Sequence, residues 1–186
     1  MKTGVTIKAN RLPEMRKAVT ALTSKRVLVG IPEENAERNE GGDASNALIG
    51  YVLETGDPSR NLPARPFLVP GVAEVEQQSI DRLRKAGEAA LRGDAAAVET
   101  ALAAIGLSAE AAVKDKMDVG PFVPLSDATL QARIRAKKAG DAGAAQELQN
   151  RRAGMAPSTE LAQPLIDTGD LQAHVTYVIR DIRTRR

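Results

Sequence analysis

Between residues 71 and 119 apolar side chains recur at helical spacing twice in succession, and only Gly93 and Asp94 separate the two runs. In the first run Val72, Val75, Ile80, Leu83 and Leu91 share one broad stripe, with charged residues on the opposite side. In the second, Val98, Leu102, Ile105, Ala109, Val113 and Met117 repeat the pattern. Two helices joined by so short a link pack antiparallel. The spacing therefore predicts a long helical hairpin, with Asp94 capping its second arm. Gly106 inside that arm costs about 1 kcal/mol relative to Ala and marks a close crossing or a bend.

The material for a core around this hairpin is chemically narrow. Hydrophobic residues make up 42% of the 186, but aromatics only 2%, so small aliphatic side chains must fill it and part of the burial is expected against neighbouring subunits. The length suits a single domain, 1–186. Without cysteine there is no disulfide framework and no thiolate ligand or nucleophile. One histidine, His174, cannot build a His-rich metal centre. The reading assigns no cofactor, no metal and no catalytic residue. Net charge is only +2 but uneven: Glu33, Glu34, Glu37, Glu40 and Asp43 make one loop acidic, and Arg180, Arg183, Arg185 and Arg186 make the end basic. Two Tyr, two Phe and no Trp leave little to stack on bases, which disfavours single-strand binding. No run approaches about 18 apolar residues, so no membrane span is expected. The opening MKTGVTIKANR lacks the apolar centre of a signal peptide, which predicts a cytoplasmic product.

Along the chain, Val5 and Ile7, with Thr3, suggest a short first strand, and Leu12, Met15, Val19 and Leu22 a helix that tolerates Pro13 in its first turn. RVLVGI (26–31) reads as a strand bounded by Pro32. A helix over 43–54 follows, capped by Asp43 or Ser45, with Leu48, Ile49, Val52 and Leu53 on its apolar face and Gly56 at its end. Pro58, Pro63, Pro66 and Pro70 then predict a stiff extended connector that presents Arg65, Phe67 and Leu68 outward as subunit contacts. For Phe67 the alternative is a plug in the core. After Gly120, Pro121 and Pro124, Ser126 caps a basic helix over 127–138. Its Arg133, Arg135, Lys137 and Lys138 form a solvated face or a contact for nucleic acid or an acidic partner.

Residues 139–163 show no firm periodicity and are expected to form a loop. Pro164 stops any helix entering from there, and Asp167, Thr168 and Gly169 make a turn. Thr168 or Asp170 can cap one helical turn, and Val175, Tyr177 and Ile179 alternate as a closing strand that joins the earlier sheet. The expected fold is α+β: a small, mostly antiparallel sheet packed against a long antiparallel helical hairpin, with extended loops at about 33–43, 56–70 and 139–163.

The strongest enzymatic signal is Leu165-Ile166-Asp167-Thr168-Gly169, an apolar pair followed by Asp-Thr-Gly as in aspartic proteases. That mechanism needs two carboxylates sharing a proton. One copy is present, so only a homodimer could complete the dyad, and the strand patterns of a protease barrel are missing. A lone histidine supports no Ser–His–Asp triad. Gly41 and Gly42 lack both the strand-turn-helix context and the Lys-Ser/Thr ending of a phosphate loop. The residues read as a binding or structural protein with no catalysis.

Taken in order, RVLVGIPE (26–33), NALIGYVLETG (46–56), LPARPFL (62–68), the helical pair, PFVPLSDATLQARI (121–134) and PLIDTGDLQAHVTYVIR (164–180) resemble the head–tail-joining or tail-completion proteins of long-tailed bacteriophages. Thr55 stands where that family usually shows an aromatic residue, and the 139–162 segment is longer than is common. The resemblance implies an α+β subunit of the neck or upper tail, acting as part of a homo-oligomeric ring that is hexameric by analogy with the tail. It further implies contacts with other neck, connector and tail proteins, passing contact with genomic DNA, no membrane, and residence in the virion after assembly in the host cytoplasm. A nucleic-acid-binding accessory protein using 133–138 and the terminal arginines is the alternative reading.

Overall fold

The structure, a computed structural model, describes residues 12–32, 44–94, 96–136 and 141–182. The expected strand at Val5 and Ile7, the acidic 33–43 stretch, Lys137, Lys138 and the last three arginines lie outside these residues. In order the chain forms α1 (Leu12–Thr23), β1 (Lys25–Gly30), α2 (Asn46–Thr55), a 3-10 turn (Pro58–Arg60), α3 (Leu68–Glu74), α4 (Glu76–Leu91), α5 (Ala96–Val119), α6 (Asp127–Ala136), α7 (Asp141–Arg152), α8 (Asp170–His174) and β2 (Thr176–Asp181). The first and last strands pair antiparallel, giving the expected α+β fold with a two-stranded sheet among the described residues.

The chain folds as two compact units, each built from distant segments. One comprises Met1–Leu28, Glu76–Ser108 and Val178–Arg186; the other comprises Val29–Val75 and Ala109–Tyr177. In the first unit Ala18, Ala90, Val98 and Leu102 are buried together, with Ala21, Leu22, Val27, Leu83 and Ile179 packed on them. Small residues allow close approach here: a Cβ on Gly87 of α4 would lie 3.1 Å from Leu22 of α1. The hairpin is antiparallel as predicted. Arg82 of α4 donates to the Ala104 carbonyl at 2.9 Å and the Ser108 hydroxyl at 2.6 Å, and Asp94 caps α5 by accepting from Ala97 N–H at 3.2 Å.

In the second unit Phe67, Val113, Met117, Leu165, Leu171 and Val175 form one buried cluster, with Val29, Ile31, Ile49, Leu53 and Ile166 against it. A satellite cluster joins Leu125, Leu130, Ala144, Leu148 and Ala162. Ser45 caps α2 by accepting from Leu48 N–H at 3.2 Å, and the other candidate, Asp43, lies outside the described residues. Gly56 ends that helix at φ 75°, the left-handed region Gly enters without a Cβ penalty.

Three expectations are corrected. The first arm of the hairpin is not continuous, because Val75 at φ −105°, ψ 6° separates α3 from α4. The proline connector is not wholly extended either: it contains the 3-10 turn, and α3 begins at Leu68. Pro70 fits there because the first helical turn has unpaired amides in any case, and Glu54 supplies acceptors for the others. Its carboxylate accepts from Phe67 and Leu68 N–H at 2.7 and 2.8 Å and from Val69 N–H at 3.0 Å. The predicted 139–163 loop contains a three-turn helix, α7. Its inward positions are Ala144, Glu147, Leu148 and Arg151, a regular helical stripe in which two members are charged, so the apolar period was hidden.

One helix among the described residues, α5, bears on the expected absence of a membrane span. By length and composition it could cross a membrane, with a mean hydropathy of 1.4 over its most apolar window. Part of its apolar surface is packed against protein: Val98 and Leu102 belong to one core and Val113 and Met117 to another, while Leu107 is exposed. Glu99 and Glu110 along it are ion-paired with Lys25 and Lys114.

A groove with two buried arginines

The second unit carries an open groove of about 1000 Å³. One wall is made where α2 ends. The chain reverses at Gly56, and a Cβ there would lie 2.8 Å from the Ala64 amide. Asp57 then accepts from Ser59 N–H at 3.1 Å to start the 3-10 turn, while Asp57 and Leu62 exchange backbone hydrogen bonds at 2.9 Å. This brings Arg65 alongside α2, where its amide donates to the Leu53 carbonyl at 2.7 Å. The facing wall is the start of α6, where Ser126 accepts from Thr129 N–H at 3.2 Å as the predicted cap. Thr129, Ala132, Arg133 and Ala136 line it, with Pro164 and Asp167 at its end.

Two guanidinium groups sit in this lining. Arg133, its side chain 11% exposed, donates to the carbonyls of Gln163 at 3.1 Å and Ile166 at 2.9 Å, and its Nε lies 3.4 Å from Asp167 Oδ1. It thereby pins the 163–167 segment to α6. Arg65 donates Nε–H to the Val123 carbonyl at 3.1 Å. Burial holds the pKa of both arginines below the ordinary arginine value; for Arg65 the charge of Arg133 pushes the same way, and for Arg133 the charge of Asp167 opposes it.

The five residues expected to face a neighbouring subunit are distributed differently. Phe67 is 2% exposed and is the plug of the main cluster; it does not point outward. Leu68 is half-buried against that cluster. Arg65 and Arg133 turn into the groove, and only Arg135 is exposed. Asp167 of the Asp-Thr-Gly turn is engaged by Arg133 of its own chain, and Thr168 Oγ1 accepts from Asp170 N–H at 3.4 Å; neither Thr168 nor Asp170 caps α8 as expected, because Gly169 at φ 81° takes the N-cap position without a side chain. His174 meets the Asp170 carbonyl at 2.6 Å within α8. Among the described residues no group of three acidic or histidine side chains is placed to hold a metal.

Glu54, Glu147 and Arg151 matter structurally and were not singled out from the sequence. Glu147, 1% exposed, accepts from Arg151 Nε and Ser158 N–H, both at 2.8 Å. Arg151 also reaches the Leu125 carbonyl and Asp127 at 2.8 Å. The i,i+4 spacing of Glu147 and Arg151 was a readable signal, but nothing local said that the pair is buried. No family model matches this chain, and no curated protein or solved structure matches it significantly.

Proposed function

We propose that this chain is a structural subunit of the neck or upper tail of a long-tailed bacteriophage, completing the tail or joining it to the head as part of a homo-oligomeric ring. The observation that carries the reading is the apolar surface of the folded chain. On α1, Leu12, Met15 and Val19 are 66%, 46% and 52% exposed and fall at i, i+3 and i+7, a stripe that faces solvent. On α2, Leu48 and Tyr51 are exposed at i, i+3, and at α3 Val69 and Val72 repeat that spacing. Single exposed apolar residues are ordinary; ordered stripes of them mark surfaces that meet another protein. The segments carrying the resemblance to tail-completion proteins are also physically coupled. Glu54 of NALIGYVLETG caps the helix begun by LPARPFL, and Arg133 of PFVPLSDATLQARI holds the carbonyls of PLIDTG.

The test is genetic. Removing the gene from its phage is expected to yield particles with heads and tails unjoined or tails incomplete, seen in electron micrographs together with loss of plaques. Tailed, infectious particles at normal yield would defeat the reading.

A further inference from the structure

The groove holds a positive charge that its own walls do not answer. Arg65 is 7% exposed, and beyond its Nε–H bond to Val123 its two terminal nitrogens have no acceptor among the described residues. Among the described residues the one carboxylate in the lining, Asp167, is engaged by Arg133. Two guanidinium charges thus share a slot with one carboxylate. Leu53, Leu62, Pro63, Val123 and Ala132 supply apolar lining. At about 1000 Å³ the groove is at the large end of ligand sites, with room for several residues of extended chain. A guanidinium in such surroundings gains most from a carboxylate that arrives with its own short apolar or neutral neighbours, because both charges are then satisfied away from water.

We propose that Arg65 anchors an acidic-peptide groove whose occupant is the 33–43 stretch of a second copy of this chain. That stretch, EENAERNEGGD, carries five acids and one Arg, interspersed with Asn, Ala and Gly. A nucleic-acid strand suits the groove less well: no aromatic side chain lines it to stack a base, and the recessed Arg65 is reached more easily by a side-chain carboxylate than by a continuous phosphate backbone. The inference rests on the assembly reading, to which it adds a specific contact between copies.

Two measurements test it. In fluorescence anisotropy a labelled peptide of residues 32–44 is titrated with the full chain. Binding should weaken as salt rises, fall about tenfold or more in Arg65→Gln, the scale of a lost charge-assisted hydrogen bond, and vanish for a peptide with Gln and Asn in place of its acids. In sedimentation velocity, Arg65→Gln and a chain with the five acids neutralised should each fail to associate alone. Mixed one to one they should pair, since one brings the acids and the other the arginine. A variant that had failed to fold could not be rescued in this way.

Peptide binding unchanged in Arg65→Gln would overturn the proposal. So would displacement of the peptide by a short oligothymidylate that binds more tightly and needs Arg65. Self-association of the parent that survives Arg65→Gln unaltered would remove this contact while leaving the assembly reading intact. A parent that stays monomeric at all concentrations would overturn both the assembly reading and the second-copy occupant, even if the free peptide still bound through Arg65.

Discussion

Gly71 lies in α3 against α5, and a Cβ built on it would meet the Val113 backbone at 2.7 Å and Val113 Cγ2 at 3.0 Å. Gly71→Ala gains about 1 kcal/mol of helix propensity, but the obstacle is a Cα atom that cannot swing aside, and overpacking of this kind costs about 1–3 kcal/mol. The clash wins; we expect a lower urea midpoint with an unchanged slope. A second residue-scale expectation concerns pH. The Lys25 ammonium donates to Glu99, and that hydrogen bond, followed by the charges of Glu99 and Asp181 and opposed by burial, raises its pKa above the ordinary lysine value. The folded chain therefore binds this proton more tightly than the unfolded one. Its contribution is complete below the unfolded pKa of about 10.4 and is lost as pH rises through the folded value. Thermal melts of Lys25→Gln should fall below the parent at about pH 8, and the gap should close as pH rises past the raised, folded-state pKa.

At the scale of elements, α7 shows where sequence periodicity stops being informative. Its inward stripe has the correct spacing, but Glu147 and Arg151 make it read as polar, and only their mutual burial turns those charges into packing partners. Removing one member strands the other, a loss of about 3–5 kcal/mol for a buried pair. Glu147→Ala should cost close to the lower end of that range, because Asp127 and the Leu125 carbonyl still hold Arg151. The loss should be smaller in the Glu147→Ala, Arg151→Ala double variant than the sum of the single ones. Amide exchange should report it first in α7. The hairpin and α2 behave differently: their caps, Asp94 and Ser45, and the terminating Gly56 act within a few residues of their own positions, so local chemistry sufficed to place them.

For the molecule as a whole, the stripe on α1 separates stability from assembly. Leu12, Met15 and Val19 are exposed, so replacing them removes little burial within the chain. Met15→Glu with Val19→Glu should change the melting temperature little, since surface substitutions away from packed features stay within about 0.5 kcal/mol, while lowering the association constant measured by sedimentation. An equal loss of stability in the monomer would show that the Met15 and Val19 stripe is part of the intrachain core instead.

Residue spacing alone placed the sheet strands that pair, the second arm of the hairpin, the caps of α2, α5 and α6 and the α+β class, because each depends on alternation, on a 3.6-residue period or on one capping side chain. Tertiary structure decided the rest: the break at Val75, the helix in 141–152, the burial of Phe67, and the turning of Arg65 and Arg133 into one groove. Those outcomes depend on partners 13 to 58 residues away, such as Glu54 for the amides of α3 and Val123 for Arg65, and a linear pattern carries no record of which distant group will neutralise or enclose a given side chain.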